Sequence, residues 1–351
     1  MRVLEGKSRT RVGIVGTGTT CAIADSHVNA FKRIPELQVT AVYTRRSEQG
    51  KAFVERHGLE AQVCSDYQEL LDRTDAVCIC SPNATHAEYT IKAIQQGKKV
   101  LCEKPMAGSA EELKRLIELA QSNRAGNIVG FNYRYSWENR TLYELMKKGV
   151  FGKIWTFYQR KGGNRLAQES LPFEWRMDRS KSGMGAGVDF GSHILDNFLT
   201  LGCYQPEEIE DITAETDTFI KTRVDDGGVQ RAVTTDDTAV FIVRMKDGCR
   251  CLMDCSRVGI AYEEMQIVGS RAVGYYTQER PDELQIWEKS EAGILDKKGY
   301  VIRKENNTEE DTYYLQAVDW LKSMQKEKHS ACELEMACKE AYRFFCEIHA
   351  C

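Results

Sequence analysis

The chain has 351 residues, of which 42% are hydrophobic and 28% charged, and its formal net charge is −4. The length suggests about two domains, at ~100–200 residues each. The composition is typical of a globular protein, and the net charge gives no basic signal for nucleic-acid binding. No apolar run approaches the ~18 residues that a membrane span needs. The segment from Met1 to Thr10 is polar and lacks the apolar core of a secretory signal, so we expect a cytoplasmic protein.

The first part of the chain alternates strand and helix patterns. Strands are predicted at 11–15, 37–43, 62–63, 76–80, 99–102 and 127–131. Helices are predicted at 22–33, 48–57, 67–71 and 84–96, and Ser109 with Glu112 forms a capping box before a further helix. This alternation predicts a parallel, doubly wound Rossmann sheet, which binds its ligand at the carboxyl ends of the strands.

After Phe131 the pattern changes to longer strands with short turns between them. Helices are predicted at 138–148, 187–201, 313–326 and 333–348. Strands are predicted at 154–161, 209–222, 238–246, 249–258, 263–268, 272–277 and 283–288. We therefore predict a dinucleotide-binding domain over 1–131 and an α+β domain with a mainly antiparallel sheet over 132–351.

The thirteen cysteines are an odd number in a long chain. Many lie in apolar runs, such as Val77 to Cys80, where cysteine serves as a small hydrophobic residue. Cys249, Cys251 and Cys255 lie in a predicted strand without a CxxC motif or histidine cluster that would complete a zinc site. We expect free thiols, with neither a disulfide framework nor a metal site.

A glycine-rich turn follows the first predicted strand. Glycine permits a tight turn and close approach to a pyrophosphate, and the next helix offers free N–H donors. Cys21 stands where the third glycine of the fingerprint is usual. We predict that this turn binds a dinucleotide through Gly16, Gly18, Thr19 and Thr20.

The second predicted strand ends at Tyr43 and is followed by Thr44, Arg45 and Arg46, without a carboxylate for an adenosine ribose. Arginine there suits a 2′-phosphate or stacks on adenine, so these three residues are predicted cofactor contacts, and NAD and NADP both stay open.

Two further loops follow the fourth and fifth predicted strands. Both lie at carboxyl ends, where a cofactor is expected. The first contains Ser81, Pro82, Asn83 and His86, and the second is Glu103-Lys104-Pro105. We predict cofactor contacts from both loops, and Lys104 can also reach a substrate hydroxyl.

Asp189 and His193 stand four residues apart in a predicted helix and would share a face. A carboxylate beside an imidazole sets its tautomer and raises its basicity, as a general base requires.

In combination these residues resemble the Gfo/Idh/MocA family, named for glucose–fructose oxidoreductase and inositol dehydrogenase. The resemblance covers nearly the whole chain. It is carried by the opening glycine turn, Pro82-Asn83 with His86, Glu103-Lys104-Pro105, Gly130-Phe131-Asn132 with Arg134, Gly152-Lys153-Ile154, Trp175-Arg176, and Asp189 with His193.

The resemblance implies an open sheet in the second domain, a homo-oligomer built through it, and NAD(P)-dependent oxidation of a secondary alcohol on a sugar, polyol or glycoside. By analogy, Lys104 positions the reacting hydroxyl, His193 is the general base and Asp189 orients it. Asn132, Arg134, Trp175 and Arg176 would shape the substrate pocket.

A narrower hypothesis is oxidation of the C3 hydroxyl of a glucoside. Two alternatives stay open: a glycosidase that retains its NAD and acts by transient oxidation, and a non-catalytic regulator that senses the dinucleotide.

Overall fold

The computed structural model describes residues 9–17, 23–123, 125–183, 185–296, 299–305, 311–325 and 333–348. Contacts divide the chain into two compact units. The first comprises 1–107, 111–135 and 310–338, and the second comprises 108–110, 136–309 and 339–351. The first unit thus includes a late segment of the chain, while the boundary predicted between 131 and 132 stays a prediction.

The strands of the described chain are β1 (Thr10–Val15), β2 (Leu37–Tyr43), β3 (Gln62–Val63), β4 (Ala76–Ile79), β5 (Lys99–Cys102), β6 (Asn127–Val129), β7 (Ile154–Gly162), β8 (Ile209–Asp217), β9 (Thr222–Val224), β10 (Gln230–Ala232), β11 (Thr238–Met245), β12 (Arg250–Ser256), β13 (Tyr262–Gly269), β14 (Ala272–Thr277), β15 (Glu283–Glu288) and β16 (Tyr300–Arg303).

The α-helices of the same residues are α1 (Ile23–Lys32), α2 (Ser47–Arg56), α3 (Tyr67–Arg73), α4 (His86–Gln95), α5 (Ala110–Ser122), α6 (Trp137–Lys147), α7 (Arg179–Ser182), α8 (Ala186–Asp189), α9 (Gly191–Gly202), α10 (Thr312–Met324) and α11 (Leu334–Ile348). None of them is both long and apolar enough to span a membrane.

The first unit contains a six-stranded parallel sheet in the order β3-β2-β1-β4-β5-β6. All four residues of β4 are buried, as expected for a central strand covered on both faces. The strand order reverses between β1 and β4, and the carboxyl ends beside that point form the usual ligand crevice of this fold. The predicted Rossmann fold is confirmed.

The second unit contains an eight-stranded mixed sheet in the order β16-β15-β14-β13-β7-β12-β11-β8. Only the β7–β12 pair is parallel among the described pairings of this sheet, so the prediction of a mainly antiparallel sheet is confirmed. One sheet face packs on α8 and α9, and α6 packs against α9. Its core includes Phe157, Phe198, Phe241, Met253 and Ile267.

Two predicted elements of this unit have different bounds in the structure. The strand predicted over 209–222 ends at Asp217, because the backbone N–H groups of Phe219 and Ile220 donate to Asp237 Oδ2 at 2.7 and 2.9 Å. The helix predicted over 187–201 is divided by a turn at Phe190 into α8 and α9. The strands β9, β10 and β16 were not predicted.

Candidate functional site

Gly16 ends β1 in a conformation that only glycine adopts easily. Its φ is +88°, and a Cβ added there would lie 2.6 Å from Ser81 Cα. Its N–H donates to the Tyr43 carbonyl at 2.8 Å. The turn therefore brings the ends of β1, β2 and β4 close together and leaves no side chain in the way of a ligand.

Thr17 follows Gly16 and is buried, and its Oγ1 has no hydrogen-bond partner among the described residues. A buried polar atom usually has a partner, so this hydroxyl is suited to a ligand oxygen. Gly18, Thr19 and Thr20, also predicted to bind the cofactor, lie outside the described residues, as does Cys21. Gly16 and Thr17, at the end of β1, thus fit a dinucleotide phosphate.

Thr44, Arg45 and Arg46 directly follow β2, and both arginines are exposed. Burial raises the pKa of Tyr89 to about 12, and the Arg45 charge opposes that rise. Arg45 therefore lies near the aromatic residues at this end of the sheet. Its contact with a cofactor stays a prediction.

His86 connects the loops that follow β4 and β5. Its ring is buried, with Nε2 2.7 Å from the Ser81 carbonyl and Nδ1 2.7 Å from the Pro105 carbonyl. Burial lowers the pKa of His86, although the two carbonyls favour the charged ring. Predicted as a cofactor contact, His86 has the geometry of a brace that holds the Lys104 loop against Ser81.

The remaining residues of the β4 loop also bond locally. Ser81 Oγ lies 2.7 Å from Thr85 Oγ1, and Thr85 Oγ1 donates to the Pro82 carbonyl at 2.8 Å. Pro82 precedes the single turn of 3₁₀ helix Asn83–Thr85. Hydrogen bonds within the loop therefore hold it beside Gly16.

Glu103 is buried, and its Oε1 lies 2.7 Å from His27 Nε2 on α1. Gly130 makes room for this carboxylate, because a Cβ at Gly130 would lie 2.7 Å from Oε1. Lys104 comes next in the chain and is half-buried. The Glu103–His27 contact, which the sequence did not predict, thus anchors the residue beside Lys104.

In the second unit, Asp189 ends α8 and His193 lies buried in the first turn of α9. Because a turn separates the two helices, the spacing of four does not by itself place these side chains on one face. Asp189 Oδ2 forms an ion pair with Arg257 Nη2 at 3.4 Å. The pairing of Asp189 with His193 stays a prediction.

Arg257 is a site residue that the sequence analysis missed. It directly follows β12 and is buried, and its Nη1 donates to the Arg176 carbonyl at 3.3 Å. Its Nε is buried without a hydrogen-bond partner in the described chain. The available signal was an arginine near the carboxyl end of the strand predicted over 249–258.

Trp175 and Arg176 form a single turn in the same cluster. Arg176 Cζ lies 4.4 Å from the centroid of the Trp175 ring, and Nη1 lies 3.7 Å from Glu174 Oε1. Burial lowers the pKa of Arg176, and the charge of Asp189 acts against that effect. The structure therefore brings both predicted substrate residues together with Asp189.

Asn132 and Arg134, the other two predicted substrate residues, belong to the first unit. Asn132 is buried, and its Nδ2 donates to Thr312 Oγ1 at 3.3 Å. Arg134 Cζ lies 6.0 Å from the centroid of the Phe131 ring. Their role in substrate binding stays a prediction.

Two family models match this chain. Residues 10–132 match the model described as "Oxidoreductase family, NAD-binding Rossmann fold". Residues 139–273 match the "GFO/IDH/MocA C-terminal domain". These matches confirm the predicted family and the prediction of a nicotinamide dinucleotide as cofactor.

Named relatives share parts of the sequence. The glucose-6-phosphate 3-dehydrogenase of Bacillus subtilis is 30% identical over 239 residues, which are 68% of this chain and 65% of that protein. The D-glucoside 3-dehydrogenase of Escherichia coli is 32% identical over 196 residues, 54% of this chain and 53% of that protein. The aligned region thus spans less than two thirds of either relative.

A solved structure of levoglucosan dehydrogenase in complex with NADH has a similar fold. It superposes with a TM-score of 0.86 at 22% identity, covering 98% of this chain and 97% of that one. At this identity the likeness concerns the fold.

Proposed function

Because the chain belongs to the Gfo/Idh/MocA oxidoreductase family, we propose that it is an NAD(P)-dependent dehydrogenase. It oxidises a secondary hydroxyl group of a sugar, polyol or glycoside. The observation that carries the proposal is the fixed position of Lys104. The Glu103–His27 contact and the His86 brace hold Lys104 at the carboxyl edge of the parallel sheet, where the Gly16 turn also lies.

The first unit would bind the dinucleotide at the Gly16 turn, with contacts from the loop of Ser81 to His86 and from Thr44 to Arg46. When bound, the nicotinamide would supply a hydride acceptor. Thr17 would donate its buried hydroxyl hydrogen to a phosphate oxygen.

The residues of this chain would then handle the proton of the substrate hydroxyl. Lys104 hydrogen-bonds that hydroxyl and stabilises the oxygen as it loses its proton. His193 accepts the proton, and Asp189, held by Arg257, orients the imidazole. Trp175 and Arg176 contribute to substrate binding, as do Asn132 and Arg134.

Within this class, we favour the C3 hydroxyl of a glucoside or sugar phosphate, because both named relatives are 3-dehydrogenases. The test incubates the enzyme with NAD⁺ or NADP⁺ and a panel of sugars, polyols and glycosides, and follows the nicotinamide absorbance. Mass spectrometry of the products should find a 3-keto sugar. Oxidation at other carbons alone would contradict the C3 assignment, and no oxidation across the panel would contradict the dehydrogenase.

We further propose that a second copy of this chain covers the outward face of the eight-stranded sheet. Val240 and Ile242 are 49% and 40% exposed there, and Ile242 pairs across the strands with Leu252, which pairs with Tyr158. An apolar stripe of this kind is typical of an interface. The cytoplasm is the proposed compartment, because the ten cysteines that the structure describes form no disulfide with one another.

A further inference from the structure

Three side chains of metal-ligating types lie close together near the Gly16 turn, and one of them is His27, whose other contact with Glu103 is described above. His27 lies on α1, Cys78 lies in β4, and Cys80 follows β4 directly. A ring nitrogen of His27 and the two Sγ atoms all lie within 4.8 Å of one another. The two Sγ atoms are 3.6 Å apart, because alternate residues of a strand point to the same face.

The hydrogen bonding of His27 prepares one ring nitrogen for a ligand. Its Nε2 is engaged by Glu103 Oε1 at 2.7 Å, and a carboxylate accepts, so the shared proton is on Nε2. Its Nδ1 is fully buried and has no hydrogen-bond partner in the described part of the chain. Metal-bound histidines in proteins commonly donate their other N–H to a carboxylate in this way.

We propose that His27 Nδ1, Cys78 Sγ and Cys80 Sγ bind one Zn²⁺ ion. Two thiolates bound to tetrahedral zinc at about 2.3 Å lie roughly 3.8 Å apart, close to the sulfur separation observed here. A ring nitrogen of His27, within 4.8 Å of both sulfur atoms, would complete a three-residue site. A fourth position is left for water.

The charges of this site balance. On binding, each thiol releases its proton to solvent, as does His27 Nδ1 where the ring is charged, and no electrons are transferred. Two thiolates, a neutral imidazole and Zn²⁺ sum to zero, so the bound ion adds no net charge beside the buried Glu103 carboxylate. A monovalent cation would leave a net negative charge beside Glu103, so the site favours a divalent ion.

The test measures zinc retention by the full chain. Protein stripped with a chelator in the presence of a reductant is equilibrated with Zn²⁺, desalted, and analysed for metal by mass spectrometry. Wild type should retain one zinc per chain that the double variant Cys78→Ala/Cys80→Ala does not retain. The matched control is Cys249→Ala/Cys251→Ala, which removes another pair two residues apart and should retain the zinc.

Cobalt gives a second measurement that reports the ligands directly. Co²⁺ bound in the wild-type protein should show thiolate-to-metal charge-transfer absorption, and His27→Gln should weaken the binding at least about tenfold. Circular dichroism checks that each variant is folded. If only one of Cys78→Ala/Cys80→Ala and His27→Gln folds, its metal binding is compared with that of wild type. The proposal is wrong if wild type retains no more zinc than the Cys78→Ala/Cys80→Ala variant, or if the control pair loses the metal equally.

Discussion

For Gly16, the structure gives a clear prediction of how substitution changes dinucleotide affinity. In Gly16→Ala the new methyl group would meet the Ser81 backbone, in a conformation already unfavourable for alanine. We expect the Kd for NAD(P)H to rise about tenfold or more, a cost of at least ~1.4 kcal/mol. The measurement is NAD(P)H titration followed by fluorescence.

Gly97→Ala is the matched control, since Gly97 also has a positive φ, +72°, but nothing lies within 4 Å of an added Cβ. It should cost about 1–2 kcal/mol of stability and leave dinucleotide affinity unchanged. Equal loss of affinity in both variants would show that backbone strain, and not the contact with Ser81, decides binding.

His86 provides a pH prediction at the same scale. Its pKa is lowered in the folded protein by burial, so the folded state holds the ring neutral while the unfolded chain binds the proton more readily. The stability that His86 contributes is therefore present above the unfolded pKa and declines as the pH falls below it.

We expect His86→Gln to lower the free energy of unfolding more at pH 8 than at pH 5, as measured by denaturant unfolding at both values. A difference that grows on acidification would mean that the ring is charged between the two carbonyls, contrary to the lowered pKa.

Sequence patterns identified Gly16 and Lys104 because their chemistry stands out near a strand end, and Asp189 because it stands four residues before His193. They did not identify Arg257, or the partnership of His27 with Glu103. These contacts join residues far apart in the chain, and a histidine in an amphipathic helix looks like an ordinary core residue. Only the folded arrangement shows which carboxylate it meets.

At the scale of elements, apolar runs of four to seven residues located five of the six parallel strands closely, because strands covered on both faces leave a continuous apolar pattern. The third strand, β3, was located from residues 62–63 alone. The strand predicted over 209–222 is too long, because two backbone N–H groups after Asp217 donate to the Asp237 carboxylate and not to a neighbouring strand. The helix predicted over 187–201 likewise joined α8 to α9, since helical periodicity continues through the turn at Phe190.

Asp236 sets the position of α8 and therefore of Asp189. Its carboxylate accepts from Gly185 N at 2.6 Å and from Gly187 N at 2.7 Å. Asp236→Ala should cost about 1 kcal/mol of stability. By displacing Asp189 it should lower kcat about 10- to 100-fold without changing dinucleotide affinity. Steady-state kinetics and NAD(P)H titration separate the two effects.

The control for this variant is Asp225→Ala. Asp225 also accepts from two backbone N–H groups, those of Gly227 and Val229, in an exposed turn. Asp225→Ala should lower the free energy of unfolding and leave kcat unchanged. Similar kcat losses in both variants would mean that α8 does not position a catalytic group.

At the scale of the whole molecule, length suggests about two domains, and alternation of elements distinguished the parallel sheet from the mixed one. Element patterns could not show that a late segment, which includes α10, joins the first unit. That association depends on long-range contacts, such as Trp320 Nε1 donating to the Gly126 carbonyl at 3.0 Å.

The outward face of the second sheet predicts self-association. Val240→Glu/Ile242→Glu places two like charges on the apolar stripe, and we expect it to shift the chain to monomers in size-exclusion chromatography with light scattering. Val224→Glu/Val229→Glu is the control, because these valines are 52% and 50% exposed outside that sheet. A monomeric wild type, or unchanged assembly of the Val240→Glu/Ile242→Glu variant, would contradict the proposed interface.

Lys104, held at the edge of the dinucleotide-binding sheet, is proposed to act on the hydroxyl that is oxidised. The most direct measurement compares turnover and NAD(P)H binding of Lys104→Ala with those of Lys51→Ala, an exposed lysine of α2. We expect Lys104→Ala to bind NAD(P)H like wild type and to lose about 10²–10⁴-fold in kcat. Lys51→Ala should keep both the affinity and the kcat of wild type. Turnover of Lys104→Ala at the wild-type rate would contradict the proposed role of Lys104.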